Sequence, residues 1–600
     1  MCIGLYPVTP KNYADFNSRW GVYASEVLAH AGLPFKSLNA NDPAGELPLV
    51  SILLLPTNLR LNDTERRLIM QFVEQGGTLI ALGGTSGLEE VFACRDGGKV
   101  EEGWIGPSPQ PRQGAGGASA PGTAAPIMEI LRRGQALHAF GGRRLAVLSA
   151  QARELAVWLA PESWNEERGW DGAVAEGAAV VINDYGRGRA VLVAADVMQS
   201  IVRLQQGRPV HVDAPPAAAA ELNDGILKVD DGIVLDFARD REIIGGVPIF
   251  ARPMADEWRE LVIRAILWGA QEAGLDIPLL WYWPDFVPAV GQISHDSDGN
   301  NPEMAQALLN LMQSLGIPST WCIQYPGGYA PEFYQRLHQL GSEVALHFDA
   351  RSGSIGTNWL EADLRRQWEW LREMSNLPVI SNKNHYLRWE GLTEFFLWLE
   401  RLGIKSDQTK GPTKIGVGGY PFGGSHPWFP LEEQTLRFID VLEVPHQTWE
   451  LVSRWPIAVG QVMVDKALEN GGVAHFLFHP VVVGRSAAVA NALSGIVAYG
   501  RERGMPWWTN AAIQDWERRR REVRLCGEHP PLSAGGGPLV WKVEAGRELK
   551  RAAILFFTGK TARSRQSGAI GASGEWVQAF GFPARLLVTD LVPGEVKQLS

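Results

Sequence analysis

Apolar runs of strand length alternate with amphipathic stretches through the first part of the chain. Residues 51–55 form such a run, and the polar segment 62–65 (NDTE) supplies the cap residues of a helix after it. That helix is predicted to end at the glycines of 75–77, and residues 78–82 form the next apolar run. The repeated strand–helix–strand spacing predicts an α/β domain with a doubly wound, mostly parallel sheet over residues 1–275.

A longer series of strand–helix units begins near Pro278. Polar residues at the carboxyl ends of these strands predict a distorted (β/α) barrel over residues 276–528. The tail after residue 537 has short alternating strands and few helix signals, which predicts a small β-sandwich-like domain over residues 529–600. The predicted barrel strands lie at 289–294, 318–323, 342–346, 378–381, near 404, within 432–445 and at 474–478.

Composition narrows the class of protein without naming a reaction. A chain of 600 residues is too long for one hydrophobic core, and 45% hydrophobic with 20% charged residues is typical of a globular protein. The net charge of -10, without a stripe of Lys and Arg, argues against a nucleic-acid partner or an anionic membrane surface. No run approaches the ~20 apolar residues of a membrane span.

Cysteine and tryptophan usage adds two expectations. The four cysteines are far apart, which excludes a zinc ribbon and a disulfide framework. The N-terminus lacks a signal-peptide pattern, so a cytoplasmic location is expected unless a leader has been removed. The 23 tryptophans favour a carbohydrate partner, since indole faces are good platforms for sugar rings. The sequence indicates no oligomeric state.

Two carboxylates follow the first predicted barrel strand, in the segment SHDSDGN. Asp296 and Asp298 stand two positions apart, so a bent backbone lets one ligate a metal while the other stays free as a base. A solvated acidic turn is the alternative for this pattern, because D-x-D-G also suits a loop.

Histidines are concentrated in the same section, with eight of the twelve in residues 295–479. His347 follows the apolar run 344–346, His385 lies in NHYLRW, and His479 precedes Pro480 in AHFLFHP. They therefore lie where the catalytic residues of a barrel emerge. For any one of them the alternative is a buried histidine whose ring bonds to a backbone carbonyl.

Together these motifs resemble those of the polysaccharide deacetylase family of carbohydrate esterases, over about residues 292–480. The resemblance implies that Asp296 is the catalytic base, that Asp298 and His347 bind a divalent metal, and that an arginine orients the base. Arg388 in NHYLRW is similar to that arginine, and His479 is similar to the histidine near the scissile group. The implied reaction is metal-assisted hydrolysis of an acetamide on a carbohydrate substrate.

One position departs from the family pattern. The second motif normally has another histidine four residues after the first, and this chain has Arg351 there. Zinc, the expected metal, needs three protein ligands, so Asp349 or His385 must complete the set. We favour His385, because imidazole suits zinc better than a second carboxylate. A catalytically inactive carbohydrate-binding or scaffolding protein is the alternative function, and hydrolysis of a non-sugar carbon–nitrogen bond by the same metal site is a third.

The segment 418–430 (GGYPFGGSHPWFP) is rich in glycine and proline, which predicts a loop. Its Tyr420, His426 and Trp428 are predicted to line a sugar-binding groove. An ordered loop packed by its own aromatic side chains is the alternative.

The N-terminal section resembles class I glutamine-amidotransferase-like domains, in YASEVLAHA, EQGGTLIALGG and YGRGRAVLVAADV. Active members have a nucleophilic cysteine at a strand-to-helix elbow. The candidate turn here, residues 83–87 (GGTSG), has no cysteine, and Cys94 lies beyond it. The resemblance therefore implies a domain without a nucleophile.

Overall fold

The computed structural model of the protein describes residues 3–43, 45–108, 126–132, 134–213, 225–350, 359–414, 416–528, 540–559 and 574–599. Contacts divide the chain into one unit made of Met1–Ile201, Glu257–Phe286 and Arg519–Ser600 and another made of Val202–Asp256 and Val287–Arg518. The three consecutive domains of the sequence analysis stay a prediction. Arg351 lies outside the described residues.

The strands are given in chain order. They are β1 (Ile3–Leu5), β2 (Phe35–Ser37), β3 (Ile52–Leu55), β4 (Thr78–Leu82), β5 (Cys94–Val100), β6 (Gly103–Pro107), β7 (Leu137–Ala139), β8 (Gly142–Val147), β9 (Arg153–Leu159), β10 (Ala175–Tyr185), β11 (Gly188–Val193), β12 (Glu242–Ile244), β13 (Val247–Ile249), β14 (Ile277–Leu280) and β15 (Val290–Asp296). They continue with β16 (Thr320–Gln324), β17 (Glu343–Phe348), β18 (Ser381–Asn384), β19 (Ser406–Asp407), β20 (Leu431–Glu432), β21 (Arg437–Phe438), β22 (Leu442–Glu443), β23 (Thr448–Trp449), β24 (Val473–Leu477), β25 (Val523–Glu528), β26 (Val540–Ala545), β27 (Leu549–Phe557), β28 (Glu575–Ala579), β29 (Phe582–Leu591) and β30 (Val596–Leu599).

The α-helices follow the same order. They are α1 (Ala24–His30), α2 (Asp63–Glu74), α3 (Glu89–Phe92), α4 (Val197–Gln206), α5 (Met254–Glu272), α6 (Pro302–Leu315), α7 (Pro331–Gln339), α8 (Glu361–Ser375), α9 (Glu394–Leu402), α10 (Ile457–Asn470), α11 (Pro480–Arg485), α12 (Ala487–Glu502) and α13 (Asn510–Arg521). Among the described helices, none combines the length and the apolar character needed to cross a bilayer.

Helix α2 begins as its sequence predicts. The Asn62 side chain accepts hydrogen bonds from the backbone N–H groups of Thr64 and Glu65, and the Glu65 carboxylate accepts one from the Asn62 N–H at 2.8 Å. These reciprocal bonds satisfy backbone donors that the first turn of a helix leaves unpaired. The cap residues therefore determine where α2 starts.

The first unit contains a mixed sheet with the order β2-β1-β3-β4-β11-β10-β9-β6-β7. The five strands from β2 to β11 pair in parallel. From β10 onward the pairs are antiparallel, because β10 and β11 form a hairpin in which Tyr185 pairs with Gly188. The sheet is thus parallel over its first five strands and antiparallel beyond them. The resemblance to glutamine amidotransferases stays a prediction.

Cys94 has the surroundings of a core thiol. The residue is buried, and its Sγ donates a hydrogen bond to the Phe92 carbonyl at 3.2 Å. Burial, with a smaller contribution from Glu154, raises the pKa of the Cys94 thiol to about 11. A nucleophilic cysteine needs a lowered pKa, so Cys94 is not activated.

Asp196 follows β11 and is enclosed by glycines. A Cβ atom on Gly83 or Gly141 would lie 2.7 Å or 2.5 Å from a carboxylate oxygen of Asp196, so only glycine fits at either position. Burial raises the pKa of Asp196 to about 7, and the nearby Asp15 carboxylate adds to the rise. The ionised form of Asp196 therefore destabilises the folded protein.

Replacing Asp196 by Asn is expected to stabilise the protein at alkaline pH. Between about pH 4 and pH 7 the folded state keeps a proton on Asp196 that the unfolded state releases, so stability falls as the pH rises. The neutral amide of the variant carries no such cost, and the gain is about 1–3 kcal/mol at pH 8 after an allowance for solvent screening. Thermal unfolding of both proteins at pH 5 and pH 8 measures it. An equal gain at both pH values would contradict the assignment.

The C-terminal strands form two small antiparallel sheets, β25-β26-β30 and β14-β27-β29-β28. In the second of these, Leu280 of β14 pairs with Ile554 of β27. The predicted C-terminal β region is present, but it incorporates a strand from far earlier in the chain. Its core therefore depends on residues that no local pattern connects to it.

The second unit contains the barrel-like sheet, with the order β22-β19-β18-β17-β16-β15-β24-β23 and parallel pairing throughout. In the described part of the chain β22 and β23 do not pair, so the barrel is open between them. The register sets Asp296 beside Cys322, Gln324 beside His347, and His347 beside Lys383. The carboxyl ends of these strands therefore meet at one edge.

Candidate metal centre

Three histidine rings face the carboxylate of Asp298, which lies in the short turn after β15. Nε2 of His347 is 3.2 Å from Oδ1. Nε2 of His385 is 3.6 Å from Oδ2, and Nε2 of His479 is 3.7 Å from the same oxygen. The side chains come from the ends of β15, β17, β18 and β24, so the parallel sheet brings together residues that are far apart in the sequence.

His347 is oriented by the backbone. Its ring is buried, and Nδ1 lies 3.0 Å from the Lys383 carbonyl oxygen. A carbonyl can only accept, so the proton is on Nδ1 and the lone pair of Nε2 points toward Asp298. Within the described residues, neither Nε2 of His347 nor Oδ1 of Asp298 has a hydrogen-bond partner of good geometry. Two buried atoms with free lone pairs fit a shared cation.

His385 is oriented by a carboxylate. Its Nδ1 is 3.2 Å from Oδ1 of Asp349 and 2.9 Å from the amide nitrogen of Gln324, and its Nε2 faces Asp298. Gln324 donates to Asp349 Oδ2 at 3.1 Å, and Gln367 bonds to the Asp349 backbone. Burial acts to lower the pKa of His385, but Asp298 and Asp349 outweigh it and raise the pKa to about 9.

The ligand atoms of Asp298, His347 and His385 lie within 4.8 Å of one another. One carboxylate with two imidazoles is a common donor set for a catalytic zinc that keeps an open position. Burial acts to raise the pKa of Asp298, but its close contacts with the His347 and His385 rings outweigh it and hold the pKa well below its usual value. Of the two candidates for the third ligand, His385 faces Asp298, whereas Asp349 contacts the far nitrogen of His385.

Asp296 is buried beside this group and pairs with a lysine. Nζ of Lys383 is 3.3 Å from Oδ1 of Asp296 and donates to Ser294 Oγ at 2.6 Å. Burial acts to raise the pKa of Asp296, but Lys383 and His347 outweigh it and lower the pKa. A lysine in mid-strand has no motif signal, although its position beside His347 in the sheet follows from the register.

Arg388 is predicted to orient Asp296, and its guanidinium contacts two other groups. Its guanidinium pairs with the carboxylate of Glu390 and donates to the Leu227 carbonyl at 3.3 Å. Lys383 is a cation in contact with Asp296. Arg388 directly follows the short turn His385–Leu387, and its role in orienting Asp296 stays a prediction.

His479 is held by Glu450, which sequence reasoning missed. Glu450 Oε1 accepts from Nδ1 of His479 at 2.7 Å and from its backbone N–H at 2.6 Å. Burial acts to lower the pKa of His479, but the buried Glu450 carboxylate outweighs it and raises the pKa to about 10. Glu450 follows β23, which has only two residues, and so short a strand leaves no periodic pattern in a sequence.

The predicted sugar-binding groove is not formed by Tyr420, His426 and Trp428, because all three are buried inside the second unit. Tyr420 donates to the Met463 carbonyl at 3.1 Å, and Nε2 of His426 lies 2.8 Å from the Asn470 carbonyl oxygen. Trp428 packs against Phe396 with ring centroids 6.0 Å apart. The segment is a loop, as predicted, but its aromatic side chains belong to the core.

Three other histidines of the barrel are core residues. Nδ1 of His295 is 2.9 Å from the Phe478 carbonyl oxygen, and Nδ1 of His475 is 3.2 Å from the Val444 carbonyl oxygen. Burial lowers the pKa of His295 and of His446 to about 3, and it lowers the pKa of His475 strongly. These rings are therefore neutral. Clustering in the sequence did not separate them from the histidines around Asp298.

A scan against protein-family models finds no match, and neither does a comparison with curated proteins. Among solved structures the chain is similar to a candidate polysaccharide deacetylase from Mycobacterium smegmatis, at 18% identity and a TM-score of 0.30 over 39% of this chain and 92% of that one. It is similar to a carbohydrate esterase family 4 pseudoenzyme from Bacillus anthracis, at 11% identity and a TM-score of 0.25 over 39% of this chain and 67% of that one. It is also similar to a β-galactosidase from Bacillus circulans, at 13% identity and a TM-score of 0.23 over 33% and 30% of the two chains. None of these likenesses bears on the role of an individual residue.

Proposed function

We propose that this protein is a metal-dependent hydrolase that removes acetyl groups from an N-acetylated carbohydrate. The observation that carries the proposal is the convergence of Asp298, His347 and His385 beside a separate buried carboxylate, Asp296. A solvated acidic turn would not bring two oriented imidazoles to one carboxylate. The resemblance of the motifs to those of polysaccharide deacetylases supports the carbohydrate substrate.

The donor atoms of Asp298, His347 and His385 would hold the cation, and zinc suits this set of nitrogen and oxygen ligands. A divalent cation there supplies Lewis-acid polarisation of the acyl carbonyl and makes water more acidic. His347 and His385 are both held by their Nδ1 atoms, so the chain arranges the site before a cation binds.

In the reaction, Asp296 takes a proton from the attacking water. The low pKa of Asp296 keeps it ionised, and Lys383 holds the carboxylate in place. His479, protonated at neutral pH, gives its proton to the leaving nitrogen as the carbon–nitrogen bond breaks. The products are acetate and the free amine. Glu450 restrains the His479 ring so that Nε2 is the nitrogen that faces the centre.

Metal analysis combined with an acetate assay tests the proposal. The purified protein should contain one equivalent of a divalent metal and release acetate from an N-acetylglucosamine oligomer. A chelator should stop the release, and added zinc should restore it. The alternative, an inactive carbohydrate-binding or scaffolding protein, predicts no bound metal. Metal-loaded protein that releases no acetate from N-acetylated oligosaccharides would refute the deacetylase proposal.

Replacing Lys383 by Met is expected to move the acidic limb of the pH profile to higher pH. Without the lysine, burial raises the pKa of Asp296, and a base is lost as the pH falls through its pKa. We expect activity at pH 6 to fall about tenfold or more relative to wild type. Arg388→Met is the matched control, since it removes a cation of similar length from the same segment. If Arg388→Met shifted the pH profile of activity and Lys383→Met did not, Arg388 would be the cation that lowers the pKa of Asp296.

A further inference from the structure

Two turns beside the candidate centre have backbone in the left-handed region, which residues other than glycine rarely adopt. One contains Tyr386 and Leu387, with φ of 58° and 47°. The other contains Glu450 and Val452, with φ of 36° and 64°. Each turn carries a residue of the centre, His385 in the first and Glu450 in the second. Strain of this kind persists where surrounding contacts impose it, and it is enriched at functional sites.

The first turn is fixed on both sides by buried residues. The Asn384 side chain donates to the Arg388 carbonyl at 3.0 Å, and the Arg388 N–H donates to the His385 carbonyl at 3.1 Å. Leu387 is buried, whereas Tyr386 between these residues is 46% exposed. The constrained backbone therefore directs one aromatic side chain out of an otherwise buried segment.

Tyr386 also lies directly beside a proposed metal ligand. The ring centroids of Tyr386 and His385 are 4.2 Å apart. In the described ranges of the second unit, Tyr386 is the single aromatic side chain among the large hydrophobic residues with high exposure, which are Val212, Ile243, Leu360, Tyr386 and Val452. An exposed aromatic ring at the rim of a polar centre is placed to contact what the centre binds.

We propose that Tyr386 is a stacking platform for the sugar ring whose acetamide enters the centre. The inference rests on the proposed function and adds the part of the substrate that is recognised, a pyranose with an apolar C–H face. A phenol ring offers a flat apolar face, and its hydroxyl can stay in water. Tyr386 thus selects for N-acetylated sugars over N-acetylated chains that have no ring.

Binding without turnover tests this inference. The probe is N,N′,N″-triacetylchitotriose, titrated by calorimetry into zinc-loaded Asp296→Asn protein. Adding Tyr386→Ala should weaken binding about tenfold, which corresponds to the loss of one stacked ring. Adding Tyr386→Phe should preserve binding, because the aromatic face remains. Ile243→Ala, which truncates another exposed apolar side chain, is the matched control and should bind like the parent.

Equal affinities for the Ala variant and its parent would overturn the inference, as would no binding of the trisaccharide by the parent. Metal content, measured for every variant, should stay constant, which separates loss of the ring from loss of the centre. The proposed function fails independently, when wild-type protein with bound metal releases no acetate. In that case a Tyr386-dependent affinity would still establish the sugar platform.

Discussion

Replacing Asp296 by Asn is expected to abolish turnover while metal binding is preserved. The substitution keeps the shape of the side chain and removes the lone pair that accepts the proton of water. General base catalysis contributes about 10²- to 10⁴-fold, so we expect kcat to fall by at least about a hundredfold. Asp296 is not one of the three clustered donors, so the metal content should equal that of wild type. Acetate release and metal analysis on the same sample measure both.

Asp298→Asn is the matched control, since it makes the same chemical change two positions away. It should lower metal affinity, because the neutral amide replaces the negatively charged carboxylate that faces His347 and His385. The two variants therefore separate the base from the ligand. An Asp296→Asn protein with full activity would show that the base is another group. An Asp298→Asn protein that binds metal as tightly as wild type would show that the centre lies elsewhere.

Replacing His347 by Ala is expected to remove the metal. The ring is buried, its Nδ1 is fixed by the Lys383 carbonyl, and its Nε2 is 3.2 Å from Oδ1 of Asp298. Loss of a residue that orients a ligand lowers metal affinity about 10- to 100-fold, so loss of the ligand itself should lower it further. Competition with a fluorescent zinc chelator measures the affinity. Activity should then return only at high added zinc.

Asp349→Asn provides the graded comparison, because Asp349 orients His385 without facing the centre. We expect its zinc affinity to fall about 10- to 100-fold, between that of wild type and that of His347→Ala. Circular dichroism should show that both variants are folded. Wild-type zinc affinity in the His347 variant would contradict the proposed ligand set. A larger loss of affinity in Asp349→Asn than in His347→Ala would indicate that Asp349 is the ligand and that His347 has the lesser role.

The chain order of the motifs was enough to find the residues around Asp298. Each of Asp298, His347 and His479 follows an apolar run, and runs of that length in a strand–helix series are typical of a parallel barrel. In such a sheet the strand ends meet, so the sequence predicted which residues are near one another. It also favoured His385 over Asp349, through the preference of zinc for imidazole. The caps of α2 and the strands that flank it were equally accessible, because capping is local.

Tertiary structure decided the partners of those residues. Lys383 of β18 reaches Asp296 of β15 although β16 and β17 lie between the two strands, and Glu450 binds His479 across 29 positions. The same applies to β14, which pairs with the distant strand β27, and to Trp428, which the sequence assigned to a groove and the fold buries. Hydrophobic periodicity and capping report on contacts a few residues apart, so the sequence by itself determined the elements and the strand-end residues. Which side chain meets which across the sheet depends on register and burial, and only the folded chain determines those.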